Sequence, residues 1–121
     1  MRVVVVGALY GAVAVGLGAF AAHLGDTGLV VTDTELVRTA VLYQLFHAAT
    51  MVAMGALKDH VMPALLGAAS WAFALGVLLF SGSLYALALG APSAIGVVTP
   101  VGGALLIAGW LLLAVTAARR I

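Results

Sequence analysis

The chain has 121 residues, enough for one domain, and 65% of them are hydrophobic while only 7% are charged. A soluble domain carries about 25% charged residues, so this balance belongs to the membrane class. With a formal charge of +1 and no basic run, the chain has no means of neutralising a phosphate backbone, which excludes nucleic acid as a partner; with no cysteine it has no disulfide, thiolate metal site or thiol nucleophile.

Four apolar stretches follow one another, and the sequence predicts an all-α membrane protein, a single domain over 1–121 built as an antiparallel bundle of four transmembrane helices. The first span runs over about 3–22, roughly 20 residues, which at ~1.5 Å per residue matches a ~30 Å hydrocarbon core. A signal peptide is the rival reading, since Arg2, an apolar run and the small residues Ala19 to Ala22 fit one. The run is longer than a signal core of ~7–15 residues, and its removal would split the basic clusters between the two sides. The second span covers about 33–57, opened by Thr32-Asp33-Thr34-Glu35 as a capping box in which the Thr32 hydroxyl and the Glu35 carboxylate satisfy exposed amides. The third covers about 63–89, begun by Pro63 in a first turn and stopped by Gly90 and Pro92. The fourth covers about 100–118, with Thr99 as cap and Pro100 at the first helical position, before Arg119-Arg120.

Basic residues in short loops set orientation. Arg2, Lys58, Arg119 and Arg120 fall on one side of a four-span chain; the other side has only Arg38, beside Asp33 and Glu35, to which it is expected to pair as a snorkelling arginine. Both termini are therefore expected in the cytoplasm.

Lipid gives helices no hydrophobic reason to associate, so they need small residues for close approach or hydrogen bonds across helices. The first span offers Gly7, Gly11, Ala14, Gly18, Ala21 and Gly25 as one stripe; the third has Gly67, Ser70, Ala74 and Ser81; the fourth has Gly102, Gly103, Ala108 and Gly109. Packing within the bundle is the first use of such stripes, and docking of a second copy or a partner subunit the other. Leucine at Gly11 or Gly18 is expected to disrupt assembly. Gly11, Gly16 and Gly18 follow an apolar helix rather than a strand, so they make no dinucleotide fingerprint.

Polar side chains within spans are costly and need partners. His47 lies two-thirds of the way along the second span with Tyr43 and Gln44 one turn before it, and the third span carries Ser81, Ser83 and Tyr85 in its outer half. His47, Gln44, Ser81 and Tyr85 are placed at similar depth and could form one buried polar patch. A hydrogen-bonded neutral imidazole is the structural explanation of His47; a proton relay or a ligand site is the functional one. Serines in such helices usually bond their own preceding turn. His23 closes the first span at its outer end as an interfacial cap, His60 is solvated in a turn, and Trp71 and Trp110 are read as packing residues. A metal site would need three or four ligands, whereas His23 and His47 are expected at different depths and the four acidic residues lie near helix ends; no metal, haem or other cofactor is expected. A nucleophilic serine would need a base and an orienting acid, and no acid is available at that depth, so no catalytic residue and no enzymatic activity are expected.

Four segments in order are also recognisable: GAFAAH (Gly18 to His23), YQLFH (Tyr43 to His47), LFSGSLY (Leu79 to Tyr85) and TPVGG (Thr99 to Gly103) followed by Gly109-Trp110. Together they touch all four spans, and the chain resembles the domain of unknown function 423 family, which includes inner-membrane proteins of the YgdD type and the eukaryotic transmembrane protein 256. The resemblance implies a four-span protein of bacterial inner (plasma) membranes with no established activity, and it places His23, Tyr43, Gln44, His47, Ser81, Ser83 and Tyr85 within the family's motifs. Ala21 stands where that motif usually has glycine, which still fits a small-residue stripe, and the tail ends with only two arginines where some relatives continue. Two functional expectations follow: a structural or accessory bundle that packs with itself or a partner membrane complex, in which His47→Ala leaves the fold largely intact; or a small-molecule, lipid/quinone or proton-handling protein with a polar pocket around His47, open to the outer side and sensitive to pH near the titration range of histidine.

Overall fold

A computed structural model describes residues 1–23 and 33–120. Four helices carry the described chain: α1, Arg2–Ala22; α2, Thr34–Met54, extended by a 3-10 turn at Gly55–Leu57; α3, Pro63–Ala88; and α4, Val98–Ala118, preceded by a 3-10 turn at Ser93–Val97. All four are long and apolar enough to cross a membrane. Their sides show it: Val5, Leu9, Leu42, Phe46, Trp71, Ile107 and Leu111 face outward and exposed, while Gln44, His47, Ser81, Ser83 and Thr116 are buried. An exterior of large apolar side chains around a polar-bearing interior suits hydrocarbon as the solvent.

Helix ends follow from local chemistry. Thr32 and Gly25 lie outside the described residues. α2 starts at Asp33, whose carboxylate accepts from the Glu35 amide at 2.9 Å. The Glu35 carboxylate takes Arg38 at 2.8 Å. Pro63 occupies the first turn of α3, where its missing N–H costs nothing. That helix ends in a Schellman motif, with the Ala91 amide on the Ala86 carbonyl at 3.0 Å and the Gly90 amide on that of Leu87 at 3.1 Å. The motif needs a left-handed residue, and Gly90 supplies it at φ +94°. α4 begins earlier than Thr99-Pro100 predicts, because the 3-10 turn feeds straight into Val98 and no side chain caps the start. The Thr99 hydroxyl is engaged elsewhere, on Ser83 of α3.

α2 and α3 form the central pair, with α1 along α2 and α4 along α3. The small-residue stripe of α1 is the face it turns to α2. A Cβ on Gly7 would sit 3.0 Å from the Ala48 carbonyl oxygen and 3.1 Å from the Val52 nitrogen, so the two backbones are nearly in contact there. Gly11 is looser, with 3.8 Å to the Ala48 Cβ, and Gly18 faces Val41. The α3–α4 interface sets glycine opposite a large side chain twice, Gly109 against the Phe73 ring and Gly76 against Leu106, and brings Gly102 onto the Phe80 backbone. Gly103 lies beside the Phe80 ring with ordinary clearance. Phe73, Leu106, Met51, Met54, Val61, Leu66, Ala69 and Val77 make the apolar core.

Candidate functional site

The polar residues of α2 point to two sides of that helix. Gln44, 4% exposed, turns toward α1 and α3. Its Oε1 accepts the Tyr85 hydroxyl at 2.7 Å, and its Nε2 donates to the Tyr10 carbonyl at 2.9 Å. The Tyr10 hydroxyl in turn donates to the Ala74 carbonyl at 2.8 Å. One glutamine and two tyrosines thus tie three helices.

His47, 5% exposed, turns toward α3 and α4. Its Nδ1 lies 2.7 Å from the Tyr43 carbonyl and its Nε2 lies 3.0 Å from the Trp110 Nε1. A carbonyl only accepts and an indole N–H only donates, so the partners assign the proton to Nδ1 and leave Nε2 as acceptor. The imidazole is neutral, in one tautomer, with both nitrogens spent on protein. The Phe73 and Trp110 rings close around it, with centroids 5.6 and 5.9 Å away.

The two serines make separate bonds. Ser81 donates not to its own preceding turn but across to the Ala40 carbonyl of α2, at 2.8 Å. Ser83 donates to the Phe80 carbonyl at 2.9 Å and accepts from Thr99. Tyr43 presents its carbonyl to His47 and its ring to Phe80, centroids 4.6 Å apart, with the side chain half-exposed. His23 stands at the opposite end of α1 from Arg2, its amide on the Phe20 carbonyl at 3.0 Å. The structure therefore joins Gln44 with Tyr85, and resolves the single patch predicted around His47 into three interhelical clasps: Tyr10–Gln44–Tyr85, His47–Trp110 and Ser83–Thr99, with Ser81 on Ala40 between them. The α1–α3 contact and the packing of α4 set this division, and neither is visible along one helix.

Tyr10, Trp110 and Thr99 are the residues that sequence reasoning missed as polar partners. A signal existed for two of them: a buried indole N–H or phenol O–H needs an acceptor, and within a span only protein can supply it. Among the described residues no group of three His, Cys, Asp or Glu is placed to hold a metal ion, and no buried side-chain polar atom lacks a partner.

Beside the histidine lies a cavity of about 430 Å³ lined by Leu42, Tyr43, Phe46, His47 and Trp110. With both imidazole nitrogens turned to protein, it offers a ligand ring faces and aliphatic carbon. A second cavity, about 240 Å³, lies between α1 and α3 over Tyr10, Gln44, Gly82 and Tyr85.

An all-helical chain with four membrane-crossing helices, an apolar exterior and an internally satisfied polar interior is a multi-pass integral membrane protein. The family model described as "Protein of unknown function (DUF423)" matches residues 17–103. A UPF0382 membrane protein of Haemophilus influenzae is 46% identical over 109 residues, covering 88% of this chain and 86% of that protein. The inner membrane protein YgdD of Escherichia coli is 37% identical over 112 residues (93% and 86%), and the membrane protein YwdK of Bacillus subtilis 33% over 117 residues (96% and 95%). No solved structure gives a significant match. The chain belongs to the DUF423 (UPF0382) family, membrane proteins to which no specific activity is assigned, and it resides in the cell's inner (plasma) membrane.

Proposed function

We propose that this protein is a structural or accessory bundle that packs with itself or with a partner membrane complex, rather than a catalyst. The observation that carries the reading is the complete internal use of the buried polar side chains among the described residues. Gln44, His47, Ser81 and Ser83 each bond across helices, so their hydrogen-bonding capacity goes into holding the bundle together. What the protein offers its surroundings is then its apolar exterior. Purification of the tagged protein from its own membranes in nanodiscs, followed by mass spectrometry, tests this. A stoichiometric protein partner or a defined homo-oligomer is the expected result. A lone chain carrying a stoichiometric small molecule that His47→Ala releases would overturn it.

The cavity beside His47 favours a second reading, a small-molecule, lipid/quinone or proton-handling protein. Under that reading His47→Ala releases a bound molecule that the native protein retains through purification.

The orientation belongs to the same proposal. Arg2, Lys58, Arg119 and Arg120 lie at helix ends and turns on one side of the bundle, where Gly55 abuts Val4 and Leu57 and His60 share a cavity with Arg120. This supports both termini in the cytoplasm. The chain has no cysteine, so a single Lys58→Cys variant labels with a membrane-impermeant maleimide only from the side on which the turn lies.

A further inference from the structure

α1 and α3 meet only sparingly, because each packs chiefly on another helix. Toward the end where α1 begins, the gap between them is a cavity of about 270 Å³. Val3 and Val6 of α1, Met51 of α2 and Trp71 and Ala74 of α3 supply apolar walls, and Arg2 stands in its lining. Among the described residues no carboxylate lines it. Ser70, also in the wall, donates its hydroxyl to the Leu66 carbonyl at 2.7 Å. Ala74 of this wall accepts the Tyr10 hydroxyl on its carbonyl at 2.8 Å. Trp71, 68% exposed, stands at the side open to the membrane.

An arginine with no acidic partner among the described residues, over a short apolar furrow, is complementary to one kind of molecule that a bilayer always contains: an anion carrying a hydrocarbon chain. We infer that this α1–α3 furrow is a binding site for an anionic phospholipid, with the phosphate on the Arg2 guanidinium and one acyl chain against Val6, Trp71 and Ala74. Arginine forms paired hydrogen bonds to phosphate oxygens and lies at the helix end, where headgroups begin. The basic groups elsewhere on this side are less suited. The cavity of His60 and Arg120 is walled by Leu57 and Ala117, each at the end of its helix, and by Val61 of the turn between α2 and α3, so it gives a chain no depth to enter. The inference is independent of the accessory reading, since a lipid seat serves a scaffold and a carrier alike.

The test is native mass spectrometry of the full chain from mixed micelles containing equal amounts of phosphatidylglycerol and phosphatidylcholine with the same acyl chains. The expected result is one retained phosphatidylglycerol per chain in preference to phosphatidylcholine. Arg2→Gln should lower that preference about fivefold, the effect of one basic side chain at a membrane surface. Ala74→Leu, which fills the furrow, should remove the retained lipid of either kind. Arg119→Gln/Arg120→Gln should change neither. Equal retention of both lipids, or an equal loss in the Arg119/Arg120 variant, would overturn the site. So would its occupation by a second copy of the chain, seen as a lipid-free dimer that Ala74→Leu dissociates. Displacement by inorganic phosphate at millimolar concentration would overturn the acyl-chain half of the assignment and leave a bare anion site.

Discussion

The two outer helices hold to the central pair by different physics. α4 is locked by shape: Leu106 enters the notch at Gly76, Phe73 that at Gly109, and the Phe80 backbone that at Gly102, and the two helices run in register along that seam. α1 buries little beyond Gly7 and Ala14, and its Val4 side chain meets a glycine, Gly55, only at the very end of the interface. It relies on backbone approach at Gly7 and on the Tyr10–Gln44–Tyr85 hydrogen bonds. In a bilayer both devices work, because close packing and interhelical hydrogen bonds are what lipid cannot replace. The contrast teaches that the small-residue stripe, conspicuous on α1, marks the flatter interface, while the glycines that receive bulk on α3 and α4 mark the interlocked one.

This contrast can be broken most directly at the seam. Gly102→Leu puts a side chain onto the Phe80 backbone, and the overpacking should cost about 3 kcal/mol or more, read as a large fall in unfolding midpoint in mixed micelles. An unchanged midpoint would mean that α4 does not pack there. His47→Ala comes next. It empties the space between Phe73 and Trp110 and strands the indole N–H, for a loss of about 2 kcal/mol. The fold itself should stay largely intact, with the ring's burial and its bond to Trp110 setting the size of the loss. Gly7→Ala should cost about 1–2 kcal/mol while Gly11→Ala stays within ~0.5 kcal/mol, because only Gly7 faces backbone at contact distance. If the two variants match, the stripe is uniformly loose. Trp110→Phe and Gln44→Leu each remove hydrogen bonds across helices and should each cost about 1 kcal/mol. These sites clasp different helices, so a double-mutant cycle between them should show no coupling. The smallest effect belongs to Arg38→Gln: its pair with Glu35 is 69% and 73% exposed, and the change should stay within ~0.5 kcal/mol.

Much of this was legible along the chain, for reasons that differ residue by residue. Gly90 had to end α3 because only glycine adopts its backbone conformation without strain, and Pro63 reads as a first-turn residue whatever surrounds it. Arg38 finds Glu35 because three residues on a helix make neighbours. Thr99 shows where local reading stops. Next to proline it looks like a cap, yet its hydroxyl goes to Ser83, sixteen residues away, since α3 and α4 lie close enough to offer it a partner.

Sequence alone determined the membrane class, the four helices and the identity of the costly polar side chains, because span length, hydropathy and the price of an unpaired polar group in hydrocarbon are properties of single segments. Tertiary structure alone decided which partner each polar group takes. Gln44 and His47 stand three residues apart, yet one faces α1 and the other α4, and it is the packing order of the helices that gives Gln44 to Tyr85 and Tyr10, and His47 to an indole that the sequence presents only as bulk.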